Sequence, residues 1–221
     1  PRQAAFQKWM KKEYPGRKGF DKVIVSHLHY DHVYSIPWIL SEYKVNSLLA
    51  PDSLHHPTSS AIRVLELAGE NLANSSGLQT LRFGELQVQI MRTSDVAAIA
   101  EDVASSGDPN DHEITVMLRT DNGAAFLAGD MTGSFCDAVV ANSILSGCQD
   151  SDQRYYKVSH HGSRTGYDSG FFNRYPANHA IISCSAGNRY KHPHNPPVEY
   201  LPSGHQITHR DGQEVYTYEL H

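Results

Sequence analysis

Apolar positions along this chain change period several times, and each change marks an element. Residues 3–13 set Phe6, Trp9 and Met10 at helical spacing between polar and basic positions, which predicts an amphipathic helix. The run Val23-Ile24-Val25 is short and wholly apolar, the signature of a buried strand. Residues 33–43 return to helical spacing through Ile36, Trp38, Ile39 and Leu40, with Pro37 suited to a first turn. A second apolar run at 47–50 reads as a strand ended by Pro51-Asp52. Residues 61–74 carry Ile62, Leu65, Leu67, Ala68 and Leu72 on a helix that runs out at Ser75-Ser76-Gly77.

Beyond Leu78 the period becomes two. Residues 79–83 and 86–90 alternate on either side of Gly84-Glu85 and predict a hairpin. Residues 94–106 are polar, with an acidic helical piece at 96–103, and read as a mobile insertion. Strands follow at 114–118 and 124–127 around the turn Asp121-Asn122-Gly123, then at 155–158 and 180–185. Strands and helices interleave throughout, so the expected class is α/β with sheets flanked by helices.

Composition narrows the classes. A chain of 221 residues can bury a sizeable core, and no run is apolar and long enough to span a membrane. No signal-peptide pattern opens it. Cys136, Cys148 and Cys184 are odd in number and widely spaced, which gives no disulfide framework and favours a reducing, cytoplasmic compartment. The net charge is −5, yet residues 1–22 hold seven basic side chains against Glu13 and Asp21. That segment is therefore read as a basic amphipathic helix and lead-in, ahead of a single domain at 23–221. Its cationic face is either a solvated face or a surface for nucleic acid or a partner.

The chemistry concentrates where apolar runs end. Directly after the strand at 23–25 comes Ser26-His27-Leu28-His29-Tyr30-Asp31-His32, four metal-capable side chains within six residues. On an extended strand end, residues i and i+2 point the same way, so His27 and His29 can share one ion. Asp31 and His32 fall where a helix begins and can face a second. Imidazole and carboxylate donors suit zinc, or manganese and iron where oxygen predominates, not calcium or a thiolate site. A histidine-rich surface turn would account for one pair, not for this spacing.

Three later junctions repeat the design: Gly129-Asp130 after 124–127, Ser159-His160-His161-Gly162-Ser163 after 155–158, and Asn188 to His194 after 180–185. An aspartate at a strand end can bridge two cations through its two oxygens. His55-His56, before Pro57, read as loop histidines.

His-x-His-x-Asp-His, Gly-Asp, Lys-Val-Ser-His-His-Gly-Ser and Asn-Arg-Tyr-x-His-Pro-His, in this order, resemble the metallo-β-lactamase superfamily, and within it the hydrolase domain of ComEC-type DNA-uptake proteins and its stand-alone relatives. The resemblance covers roughly residues 20–218. It implies a four-layer αβ/βα sandwich of two mixed sheets, two divalent ions (zinc or manganese), and a metal-dependent hydrolase of the phosphodiesterase or nuclease kind using a water between the ions. His27 and His29 would bind the first ion, Asp31 and His32 the second, and Asp130 would bridge. His160 is the choice for the remaining ligand, with His161 as substitute. His112, in Asn110-Asp111-His112-Glu113, either supplies the usual third ligand of the first ion or stands behind the ligands. His194, with His192 as the lesser candidate, would contact phosphate or protonate a leaving group; His161, Ser163 and Asn188 would also bind substrate. Asp31 or Asp130 would orient the water.

The resemblance also implies two or three strands ahead of the metal motif, whereas about twenty residues precede Val23. The sequence reading therefore expects those strands from a further polypeptide segment. The partners expected are nucleic acid or a nucleotide. The same water could serve lactams, lactones or thioesters, and a non-catalytic subunit would keep the fold without the chemistry.

Overall fold

The computed structural model describes residues 3–51, 58–73, 79–148, 152–185 and 187–207. His55 and His56 lie outside them. Its contacts divide the chain into two units, residues 1–76 with 107–109, and residues 77–106 with 110–221.

The first unit opens with helix α1 (Gln3–Glu13), as its periodicity predicts. Met10 is buried, Phe6 stacks on Trp9 at 6.0 Å and meets Trp38 edge-on at 5.8 Å, and Lys8, Lys11 and Lys12 stay exposed. Strands β1 (Gly19–Phe20) and β3 (Lys44–Val45) pair in parallel, while β2 (Val23–Ile24), β4 (Leu48–Leu49) and β5 (Leu72–Ala73) form a parallel sheet in the order β2-β4-β5. Leu48 and Leu49 are fully buried, which is why that run lacks alternation. The expected helix at 33–43 is two pieces, α2 (Tyr30–Val33) and α3 (Ile36–Glu42), the second with Pro37 at its start.

Helix α4 (Ser59–Ala68) begins at Thr58, whose hydroxyl accepts the Ala61 N–H at 3.1 Å. The sequence reading carries this helix to residue 74; it stops at Gly69, whose φ of 49° ends the helical path, and Leu72 joins a strand instead. Ala61, Val64 and Ala68 form its buried face, and Ile62 and Leu67 are exposed.

The second unit is built on a seven-stranded sheet, β6 (Gln79–Phe83), β7 (Leu86–Arg92), β8 (Ile114–Arg119), β9 (Gly123–Leu127), β10 (Gln153–Lys157), β11 (His179–Ile182) and β12 (Gln206–Ile207), in the order β12-β11-β10-β9-β8-β7-β6. Strands β6 to β9 are antiparallel neighbours, and β9 to β12 are parallel. The two hairpins turn where the sequence predicts. Phe126 is fully buried, stacks on Tyr156 at 5.9 Å and leans on Phe171 at 5.8 Å, under α6 (Gly133–Ala141) and α7 (Ser169–Arg174). Helix α8 (Asn195–Glu199) follows the last polar cluster.

The stretch 94–106 corrects its sequence reading. Helix α5 (Ala100–Ser105) lies within it, and Val96, Ile99 and Val103 are buried in the same core as Phe126. Their i, i+3, i+7 spacing supplies an apolar stripe that the surrounding acids conceal. Burial also pushes the Cys136 thiol up to about 12, which leaves it protonated and packed rather than nucleophilic.

Between β9, β10 and β11 the register is Tyr156 opposite both Phe126 and Ala180, so Leu127, Lys157 and Ile181 are level. Three loops therefore leave one edge of the sheet together. Phe126→Ala is expected to destabilise the protein by about 3–5 kcal/mol, the usual cost of truncating a buried phenylalanine, read as a lower urea midpoint at unchanged slope.

Candidate functional site

In the first unit, β2 hands the chain to the histidine motif without slack. The Val25 N–H still bonds the Leu49 carbonyl at 2.9 Å, and His27 follows fully buried. His29 is extended (φ −66°, ψ 150°) and precedes α2, whose first turn carries Asp31 and His32. The Ser26 hydroxyl lies 3.3 Å from Nδ1 of His27 and 3.2 Å from Nδ1 of His32, and the two rings are 4.0 Å apart. His27 Nε2 and His29 Nδ1 face each other at 3.0 Å, and His32 Nε2 lies 3.8 Å from Asp31 Oδ2. Imidazole nitrogens held this close, with a hydroxyl orienting two of the rings from behind, are a donor set that fits a divalent cation. A cavity of about 340 Å³ opens beside Asp31 and His32, walled by Phe6, Tyr30, Tyr34 and Ile39.

In the second unit, the turn after β10 carries three successive left-handed residues: His160 (φ 48°), His161 (φ 54°) and Gly162 (φ 79°). A non-glycine residue there costs about 1–3 kcal/mol, so the surroundings must enforce it. They do so from every side. The Ser163 N–H bonds the His160 carbonyl at 2.8 Å, the His194 N–H bonds the Gly162 carbonyl at 2.8 Å, and the Ser159 hydroxyl donates to the Met131 carbonyl at 2.5 Å. Gly162 is required for a second reason, since a Cβ there would stand 2.7 Å from Cβ of Pro193.

This turn decides which histidine meets the aspartate. His161 sets Nδ1 against the Ser183 carbonyl at 2.5 Å and presents Nε2 to Oδ2 of the buried Asp130 at 3.1 Å. His160 turns instead to the Thr165 hydroxyl at 2.9 Å. Lys157 Nζ donates to the Gly129 carbonyl at 2.7 Å and lies 3.3 Å from Asp130 Oδ1. A carbonyl that fixes the proton on Nδ1 leaves the Nε2 lone pair facing a carboxylate oxygen, and two electron-rich atoms so disposed suit a cation.

The remaining candidates of the second unit have partners of their own. His112 sets Nε2 against the Ser106 carbonyl at 3.0 Å. His194 accepts the Arg164 N–H on Nδ1 at 3.0 Å. His192 packs 5.7 Å from His160, 4.9 Å from His194 and 6.3 Å from His161, ring centre to ring centre. Asn188 bonds the backbone of its own loop, donating to the Ser185 and His192 carbonyls and accepting the His192 N–H. Ser163 is buried and accepts from the Thr165 N–H and hydroxyl. Sequence reasoning missed Glu113, whose carboxylate accepts the Asp130 N–H at 2.6 Å, as well as Lys157, Ser26 and Ser183. The one legible signal was a charged residue, Glu113, directly before an apolar strand.

The chain belongs to the metallo-beta-lactamase superfamily, whose family model matches residues 1–169. Both the α/β class and the motif resemblance agree with that membership. Among individual proteins, it is 25% identical to ComE operon protein 3 of Bacillus subtilis (strain 168) over 209 residues. That match takes in 92% of this chain and 25% of the relative, so the chain spans about a quarter of the relative's length. Among solved structures it is similar to CmlA, a diiron beta-hydroxylase from Streptomyces venezuelae, at 15% identity and a TM-score of 0.43, covering 74% of this chain and 35% of that one. A CmlA mutant gives 14% and 0.42, covering 74% of this chain and 36% of that one. Among the described residues no helix is long and apolar enough to cross a membrane.

His192 is pushed down to about 4, first by burial and then by the imidazoles of His160, His194 and His161, with Asp130 opposing. The native state therefore resists a proton that the unfolded chain accepts near 6.5. In the metal-free protein, the contribution of His192 to stability is expected to be intact above pH 6.5 and to be lost as pH falls towards 4. Melting curves across that window, compared with His192→Asn, check this: the variant's profile should be flatter.

Proposed function

We propose that this chain is a metal-dependent hydrolase of phosphodiesters, acting on nucleic acid or a nucleotide. The observation that supports it most is the pairing of His161 with Asp130, where a backbone carbonyl holds the imidazole through Nδ1 and its Nε2 faces a buried carboxylate at 3.1 Å. The ligands proposed are His27, His29, Asp31 and His32 from the first set and Asp130 and His161 from the second. Zinc or manganese fits these donors. Two such dications supply, when bound, the Lewis acidity that lowers the pKa of water and offsets charge on phosphate.

The protein's own groups divide the remaining work. Asp130 directs its carboxylate under restraint from Lys157, whose ammonium offsets part of the negative charge. Because His194 Nδ1 takes the Arg164 N–H, a proton carried by that ring sits on Nε2, the atom proposed to meet a phosphate or leaving oxygen. Ser163 and Asn188, engaged with their own loops, hold the turn and the 188–192 loop in shape and so act through His161 and His194. The resemblance to ComEC-type DNA-uptake proteins supports phosphodiesters over lactams, lactones and thioesters.

Mass spectrometry on the purified protein should find close to two equivalents of zinc or manganese, reduced in His29→Ala. In the metal-free state Asp130→Asn is expected to keep its circular dichroism and melting point, and on loading with metal to lose turnover of single-stranded DNA and of a simple aryl phosphodiester. Full activity in that variant overturns the assignment. Hydrolysis of a lactone or thioester, with phosphodiesters untouched by the loaded protein, replaces the substrate class.

A further inference from the structure

Glu113 is one of the most deeply buried side chains in the protein, yet it carries a carboxylate. It stands immediately before β8, where β8 and β9 pair with Val116 opposite Leu127; that register, carried three residues further, sets Glu113 level with Asp130. Its backbone is fixed on the other side by Thr93, whose N–H bonds the Glu113 carbonyl at 3.0 Å and whose hydroxyl accepts the Glu113 N–H at 3.1 Å. The side chain therefore emerges from a clamped position with little freedom.

Its target is a single peptide group. Glu113 Oε1 accepts the Asp130 N–H at 2.6 Å. The carbonyl of that same peptide, on Gly129, receives Lys157 Nζ at 2.7 Å and the His160 N–H at 3.3 Å. An anion thus sits at the positive end of the peptide dipole and a cation at the negative end, the orientation in which both charges are stabilised. Gly129 is part of the fit: a Cβ at that position would lie 1.6 Å from Glu113 Oε2. The carboxylate occupies the space where any other residue would carry its side chain.

We propose that Glu113 is a positioning residue of the metal centre: together with Lys157 it holds the Gly129–Asp130 peptide and so sets the direction in which Asp130 presents its oxygens. The inference rests on the reading of Asp130 as a metal ligand. A carboxylate with no role beyond solubility would not be kept in this interior, since burying one is costly without matched partners. A buried group that only filled space would not need to reach a ligand's own peptide bond.

Two variants separate reach from charge. Glu113→Asp keeps the charge but is one methylene too short for the 2.6 Å contact; Glu113→Gln keeps the length and an acceptor oxygen. Cobalt(II) serves as the probe, added to the metal-free full chain, with its visible absorption reporting ligand geometry. Affinity is expected to fall roughly 10–100-fold in Glu113→Asp, as when partners of metal ligands are altered, with a changed spectrum, both read at a temperature where the metal-free variant is fully folded. Glu113→Gln should keep the wild-type spectrum and stay within about threefold. Wild-type affinity and spectrum in Glu113→Asp overturn the inference, as do equal losses in both variants or a loss that merely follows a lowered melting point. A wild-type chain that takes up no cobalt(II) overturns the metal-centre reading together with it.

Discussion

The parallel pairing of β9, β10 and β11 is the constraint on which the second unit's chemistry depends. Parallel strands in register must end at the same edge, and each here ends in a loop with polar cargo: Gly129-Asp130, Ser159 to Ser163, and Ser183 onwards. The contact between Ser183 and His161 exists because β10 and β11 are neighbours, and the contact between Lys157 and Gly129 because β10 and β9 are. Beneath that edge, Phe126, Tyr156 and Phe171 form a packed aromatic layer that resists displacement.

Against this rigid background the turn at 160–162 is where conformational strain is kept. Two left-handed histidines in succession are unfavourable in isolation, and the hydrogen bonds to Gly129, Met131, Ser163 and His194 hold them there. The result is that two neighbouring imidazoles, with ring centres 6.4 Å apart, diverge. Adjacent imidazoles end in different company, one on a carboxylate and the other on a threonine hydroxyl.

That turn also explains where sequence reasoning stopped. The motif at 26–32 was legible because strand and helix periodicities determine where its residues fall, and the structure gathers His27, His29 and His32 closely. Choosing between His160 and His161 requires knowing that the backbone turns left-handed at His160, which neither residue type announces. The apolar triplet Val96, Ile99 and Val103 was hidden among acids, and Gly69 ended a helix whose apolar pattern continued through Leu72. Glu113 was invisible for another reason: its partner is a peptide bond 17 residues away, and backbone partners leave no trace in side-chain identity.

The loops joining β7, β8 and α6 contain three hydroxyls that converge on Asp111: Ser106 and Thr132 donate to its carboxylate at 2.5 and 2.6 Å, and Thr93 donates to its carbonyl at 2.5 Å. These are neutral donors, so they satisfy the carboxylate without cancelling its charge. Glu113 and Asp130 lie along the same loops, with Lys157 as the cation beside Asp130, so several carboxylates gather in this part of the second unit. An ion that these carboxylates helped to hold in the native chain alone would be thermodynamically linked to folding. An ion that prefers the native chain stabilises it in proportion to the logarithm of its free concentration over Kd, so on the reading proposed above the melting point is a property of the solution's free metal as much as of the chain itself.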